Sequence, residues 1–154
     1  MAQPNSLDYF AIRNTISTYC IALDTKDFAL LRKVFTEDVD TIYPFAEMKG
    51  VQVVAERIEK RLAAITSQHA LTTQTIEVSE DGKTAKATTY FTGIHFGKGK
   101  WQGQQVTAWG RYDDELVVTD AIAGVPGASG HWMICKRSVT FQGRLGEEGV
   151  MDGE

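Results

Sequence analysis

From Thr84 to Phe96 the residues Ala85, Ala87, Thr89, Phe91, Gly93 and His95 recur at every second position. Successive side chains of a strand point to opposite faces, so this period describes a half-buried β-strand and not a helix. The pattern does not stand alone. His69 to Val78 is rich in Thr and Ile, and Glu80-Asp81-Gly82-Lys83 reads as a hairpin turn, because Asp-Gly adopts positive φ at little cost. Gly97 to Gly99 turns the chain into a further long strand, Lys100 to Val118, with Gly103 and Gly110 as candidate bulges or bends. Thr119 to Gly130 reads as a loop, and His131 to Phe141 as the last strand. Long strands joined by short turns commit this part of the chain to an antiparallel meander.

The first third carries a different period. Asn5 or Ser6 can cap a helix with Asp8 in its first turn, and Ile12, Ile16, Tyr19 and Leu23 mark one face of it. Asp27 opens a second, short helix with Phe28, Leu31, Val34 and Phe35 apolar. Val39 to Phe45 is a short β-like stretch stopped by Pro44. Gly50 to Thr66 predicts a third helix, with Val54, Ile58, Leu62 and Ile65 as its buried stripe. Helices followed by strands give an α+β order. A strongly curved antiparallel sheet of about six strands, closed by three N-terminal helices, buries both apolar sets around one interior.

At 154 residues the chain has the length of one domain, and 43% hydrophobic with 23% charged residues is a globular composition. Residues 1–144 are read as that domain, and 145–154 as a flexible acidic Gly-rich tail. Glu147, Glu148, Asp152 and Glu154 account for the whole net charge of −4. The neutral remainder offers no basic surface for nucleic acid. There is no run of roughly 18 apolar residues to cross a membrane, and Met1 to Asp8 lacks a signal-peptide core. Cys20 and Cys135 are far apart and are read as two reduced thiols, which places the chain in the cytoplasm.

No phosphate-binding Gly loop, nucleophile elbow, zinc-protease helix or paired CxxC is present. What remains is a sparse set of titratable residues. Asp24 ends an apolar helical face, where a carboxylate opposes the helix dipole. It is a catalytic candidate or a solvated turn residue. His69 opens a strand, and His95 lies on the small, mostly apolar face of Thr84 to Phe96, either lining a cavity or bonded to a backbone carbonyl. Tyr43 can donate its hydroxyl to a carbonyl or simply fill core. Trp101, Trp109 and Trp132 suit core or a planar ligand, and Trp109 is taken as a substrate contact. Trp109 and Arg111 also alternate on what reads as an outer sheet face, which could serve self-association. Two His and one carboxylate leave a divalent metal site as an alternative.

Taken in order, these pieces resemble the SnoaL-like branch of the nuclear transport factor 2-like superfamily, and within it the scytalone dehydratase-like enzymes. The resemblance spans about Asp8 to Phe141 and rests on four stretches. Ala22-Leu23-Asp24-Thr25-Lys26-Asp27-Phe28 resembles the segment in which a catalytic Asp ends the first helix. Thr41-Ile42-Tyr43, then Thr66-Ser67-Gln68-His69 with Gly93-Ile94-His95, resemble the strands carrying a Tyr and two His. His131-Trp132-Met133-Ile134-Cys135-Lys136-Arg137 resembles the closing strand. Leu23 departs from the pattern, since the dehydratase has a Tyr there, and Tyr19 one turn earlier is the candidate replacement.

The resemblance implies a cone of curved sheet with a pocket inside, and a lyase or isomerase without metal or cofactor. By position it implies that Asp24 orients His95, that His69 is the general acid/base, and that Tyr43 stabilises enolate charge. The implied substrate is a small, hydrophobic, oxygenated hydroxy ketone of polyketide or terpenoid type from secondary metabolism, dehydrated, isomerised or cyclised. A dimer or trimer is also implied, as is the alternative of a non-catalytic binding or dimerisation module of the same fold.

Overall fold

The computed structural model describes residues 3–152. Helix α1 (Ser6–Thr25) starts at Asn5, whose side chain accepts from the Leu7 N–H at 3.0 Å. It stops at Lys26, which takes the left-handed conformation at φ 63°. A 3-10 helix (Phe28–Lys33) leads into β1 (Phe35–Tyr43) and the short β2 (Ala46–Lys49). Helix α2 (Val51–Leu62) then buries Val51, Val54, Ile58 and Leu62. Gly50 starts it at φ 86°, a conformation that disfavours any side chain. The long strands β3 (Thr66–Val78), β4 (Thr84–Phe96), β5 (Gln105–Thr119) and β6 (His131–Gly146) complete the fold.

The architecture is mixed α+β: one six-stranded sheet in the order β2-β1-β6-β5-β4-β3 with the helices packed on one face. One expectation is corrected. The sheet is not wholly antiparallel, because β1 pairs with β6 in parallel, Thr41 opposite Arg137. That pairing joins strands far apart in the chain, so no hairpin constrains its direction. The sheet is open, with β2 and β3 as its two edges, and covered by the helices. Register shifts between Leu71 and Gln74, Trp109 and Gly110, and Glu115 and Leu116 interrupt its ladders, and such irregularities bend strands.

The core lies between sheet and helices and centres on Trp132, Phe35, Ile12, Ile16 and Ile58. A buried carboxylate clamps the first turn of α1 to the long loop, since Asp8 accepts from the Ser129 N–H and hydroxyl, each at 2.8 Å. The expected flexible tail holds the end of β6 and a 3-10 turn (Glu148–Asp152) that seats Val150 at 1% exposure. Both cysteines are free thiols, Cys20 buried and Cys135 partly so. No helix among the described residues is long and apolar enough to cross a membrane.

Candidate active site

α1 packs against β3, and this contact brings the helix end to the start of the strand. Asp24 sits there and receives three hydrogen bonds. The Ser67 hydroxyl donates to Oδ1 at 3.0 Å, the His69 backbone N–H to Oδ2 at 2.8 Å, and His69 Nδ1 lies 2.7 Å from Oδ1. Burial pushes the Asp24 carboxyl up, but these bonds outweigh it and hold it below the usual carboxylate range. An ionised Asp24 can only accept, so Nδ1 carries the proton and a neutral His69 ring keeps Nε2 bare. The Lys26 ammonium donates to the Ser67 hydroxyl at 3.1 Å and closes the cluster on the helix side.

Nε2 of His69 lies on the Gly93 side, where the β3–β4 register pairs those two residues. A Cβ on Gly93 would stand 3.2 Å from Cδ2 and 3.3 Å from Nε2 of His69, and 3.4 Å from Cε1 of His95. The missing side chain is therefore the space in which the two rings meet edge to face, with centroids 5.6 Å apart. His95 is 7% exposed, and its Nδ1 is 3.3 Å from the Val106 carbonyl. Burial, then the neighbouring His69 and two arginines, lower its pKa to about 4, so its ring is neutral near pH 7. This corrects the expected pairing: Asp24 holds His69, not His95. His69 lies on β3, the strand that packs on α1, whereas His95 lies on β4 behind it, opposite Ser67.

The tyrosines gather elsewhere in the same interior. The Tyr43 hydroxyl donates to that of Tyr19 at 2.9 Å, joining β1 to α1. Beside them lies Arg137 at 0% exposure, its guanidinium carbon 4.3 Å from the Tyr19 ring centroid and 4.1 Å from that of Tyr112. Asp114 accepts from its Nε at 2.7 Å and Nη2 at 2.8 Å. Burial draws the Arg137 pKa down, but Asp114 reverses this and raises it well above its ordinary value. Burial also raises both the Tyr19 and Tyr43 hydroxyls, which stay protonated as hydrogen-bond donors.

One cavity connects these groups. Its free volume is ≈ 60 Å³ for the centre of a water-sized sphere, and Tyr19, Tyr43, Tyr112, His69, His95, Arg61 and Arg144 are its polar wall. Leu23, at the position of the expected second Tyr, is an apolar part of the lining. Five of the six expected site residues thus converge on one interior, four of them lining the cavity and Asp24 behind His69. Trp109 does not: it stands 38% exposed on the outer face of β5, while its neighbour Ala108 lines the cavity. Among the described residues no three His, Cys, Asp or Glu side chains are placed to hold a metal ion.

Several functional neighbours escaped the sequence reading. Tyr112 and Asp114 share the inner face of β5 and were legible from the strand period, as was Ser67 two positions before His69. Arg61 carried no such signal, because it reads as a solvated position of α2.

Comparison with known proteins bears on the family and the fold. The SnoaL-like domain family matches residues 4–138. No curated protein matches the chain. The Kfla4162 protein of Kribbella flavida superposes with a TM-score of 0.78 at 16% identity, covering 96% of this chain and 98% of its own. A scytalone dehydratase-like protein of Novosphingobium aromaticivorans DSM 12444 gives 0.75 at 18% identity, covering 92% and 88%. The hexachlorocyclohexane dehydrochlorinase LinA-type3 of Novosphingobium barchaimii LL02 gives 0.74 at 13% identity, covering 93% and 92%. At these identities the structures speak for the fold alone, whereas the family match spans most of the chain: it belongs to the SnoaL-like domain family.

Proposed function

We propose that the protein is a cofactor-independent acid–base enzyme, a lyase or isomerase acting on a small oxygenated substrate held in the cavity. The observation that carries this reading is the Asp24–His69 contact of 2.7 Å at the cavity wall, with Nε2 left bare. His69 takes a proton from a carbon beside a carbonyl, and the electron pair moves into an enolate. Asp24 stabilises the imidazolium that forms. The Tyr19 hydroxyl, which accepts from Tyr43 and keeps its own proton to give, supplies the hydrogen bond for the enolate oxygen, and the Arg137 charge beside the pair adds to the field there. The imidazolium then returns the proton. If the proton goes to a β-hydroxyl, water leaves and a C=C bond forms; if it goes to another carbon, the double bond has moved. The same groups serve dehydration, isomerisation or ring closure of a polyketide- or terpenoid-like hydroxy ketone. The scytalone dehydratase-like and dehydrochlorinase neighbours are named for a loss of water and a loss of hydrogen chloride.

The test is turnover of a panel of β-hydroxy ketones by the native chain, His69→Ala and Asp24→Asn. General acid–base help is worth ~10²–10⁴-fold, so the His69→Ala rate falls by that factor while the chain stays folded. Full activity in folded His69→Ala removes the mechanism, and the non-catalytic binding module then becomes the better reading.

A further inference from the structure

The cavity wall carries more positive charge than the proposed acid–base chemistry uses. Arg61 from α2 and Arg144 from β6 both line it. Each guanidinium is stacked on a cavity aromatic, Arg61 at 4.4 Å from the Phe45 centroid and Arg144 at 5.3 Å from that of Phe141. Stacking fixes a guanidinium in place without neutralising it. Among the described residues Arg61 makes no ion pair. Arg144 has one, with Glu148 accepting at 3.1 and 2.6 Å, and that carboxylate is 64% exposed. Two cations thus share a single, solvated counter-charge beside a cavity whose other lining residues carry no acidic side chain. Burial, then repulsion from Arg144, lowers the Arg61 pKa, and the charge of both also helps keep His95 neutral. Nothing in the Asp24–His69 or tyrosine clusters needs these arginines.

We propose that the substrate carries a carboxylate, bound between Arg61 and Arg144, on an unsaturated or aromatic body that packs against Phe45 and Phe141. This rests on the acid–base reading of the same cavity and adds the substrate class. A planar carboxylate matches the guanidinium fork, and its charge relieves the repulsion between the two arginines. It also fixes the far end of the ligand, which holds a reacting carbon in register with His69. Glu148 occupies Arg144, so an incoming carboxylate competes with it.

The probes are trans-cinnamate and its uncharged isostere cinnamamide, titrated calorimetrically into the native chain, Arg61→Gln, Glu148→Gln and His69→Ala. The native chain is expected to prefer the acid by roughly tenfold or more, as a charge-assisted bond outweighs a neutral one. Arg61→Gln loses about that factor for cinnamate and leaves cinnamamide unchanged. Glu148→Gln binds cinnamate more tightly. His69→Ala keeps the preference for the acid, because the base is not part of the anion site. Equal affinity for acid and amide, no measurable cinnamate binding, or an Arg61→Gln effect equal on both probes overturns the proposal. Hydroxy-ketone turnover that depends on His69 survives all three of those outcomes, so failure of the anion site and failure of the base are separable.

Discussion

His95 is the residue whose chemistry most directly exposes the character of the cavity. An unfolded histidine takes up a proton near pH 6.5, whereas the buried ring refuses it until about pH 4. Folding stability contributed by neutral His95 is therefore present above the unfolded value and is lost as pH falls through that window. The size is on the order of 3 kcal/mol if the whole shift is expressed. Asp24 acts with the same sign at lower pH, since its carboxyl is held below the usual range and protonation breaks its bonds to His69 and Ser67. Thermal unfolding midpoints measured from about pH 7 down to about pH 4 should fall steadily in the native chain. In His95→Gln, which cannot take the proton, the slope in the upper part of that window should flatten. An unchanged slope would place the acid sensitivity elsewhere.

At the scale of elements, what the sequence discloses follows from how local the encoding is. The period of two along Thr84 to Phe96 matches β4 at both ends, because flanking turns and alternation agree there. The face of α1 marked by Ile12, Ile16, Tyr19 and Leu23 is buried as its spacing predicts. The parallel pairing of β1 with β6 has no such local signature, since it depends on a register between strands some ninety residues apart. β2 is four residues long, too short for a period to show. The choice of His69 over His95 as the partner of Asp24 was hidden for the same reason, because it follows from the packing of α1 on β3, which are some forty residues apart. Trp109 was misplaced because aromatic character suits a pocket and an exposed sheet face equally. The Arg137–Asp114 pair ties β6 to β5 with both side chains at 0% exposure. Asp114→Asn leaves a buried guanidinium uncompensated and should cost roughly 3 kcal/mol or more, read as a fall in the urea midpoint at unchanged slope. A loss under about 1 kcal/mol would mean that water or another acceptor reaches Arg137.

For the whole molecule, the open sheet supplies one wall of the cavity and the helices the other. The last residues described pack onto this body. Val150 is buried in the core, Gly149 lies against Trp101 where a Cβ would come within 2.2 Å of the ring, and Glu148 braces Arg144. An acidic, Gly-rich composition gave no hint of this packing, because only Val150 and Met151 carry it. Polar groups that are costly to bury (Asp24, His69, His95, Tyr19 and Tyr43) are concentrated in and behind one cavity, and that concentration is the physical ground for reading a catalytic site. The proposed function turns on Asp24 fixing His69 with Nδ1 protonated and Nε2 bare. Long-range ¹H–¹⁵N correlation spectra of the imidazole rings near pH 8 test it without any substrate. In the neutral ring the proton is expected at Nδ1, with loss of that tautomeric preference in Asp24→Asn. A His69 ring protonated at Nε2 in the native chain would contradict it, because the nitrogen facing the cavity would then have no lone pair with which to take a proton.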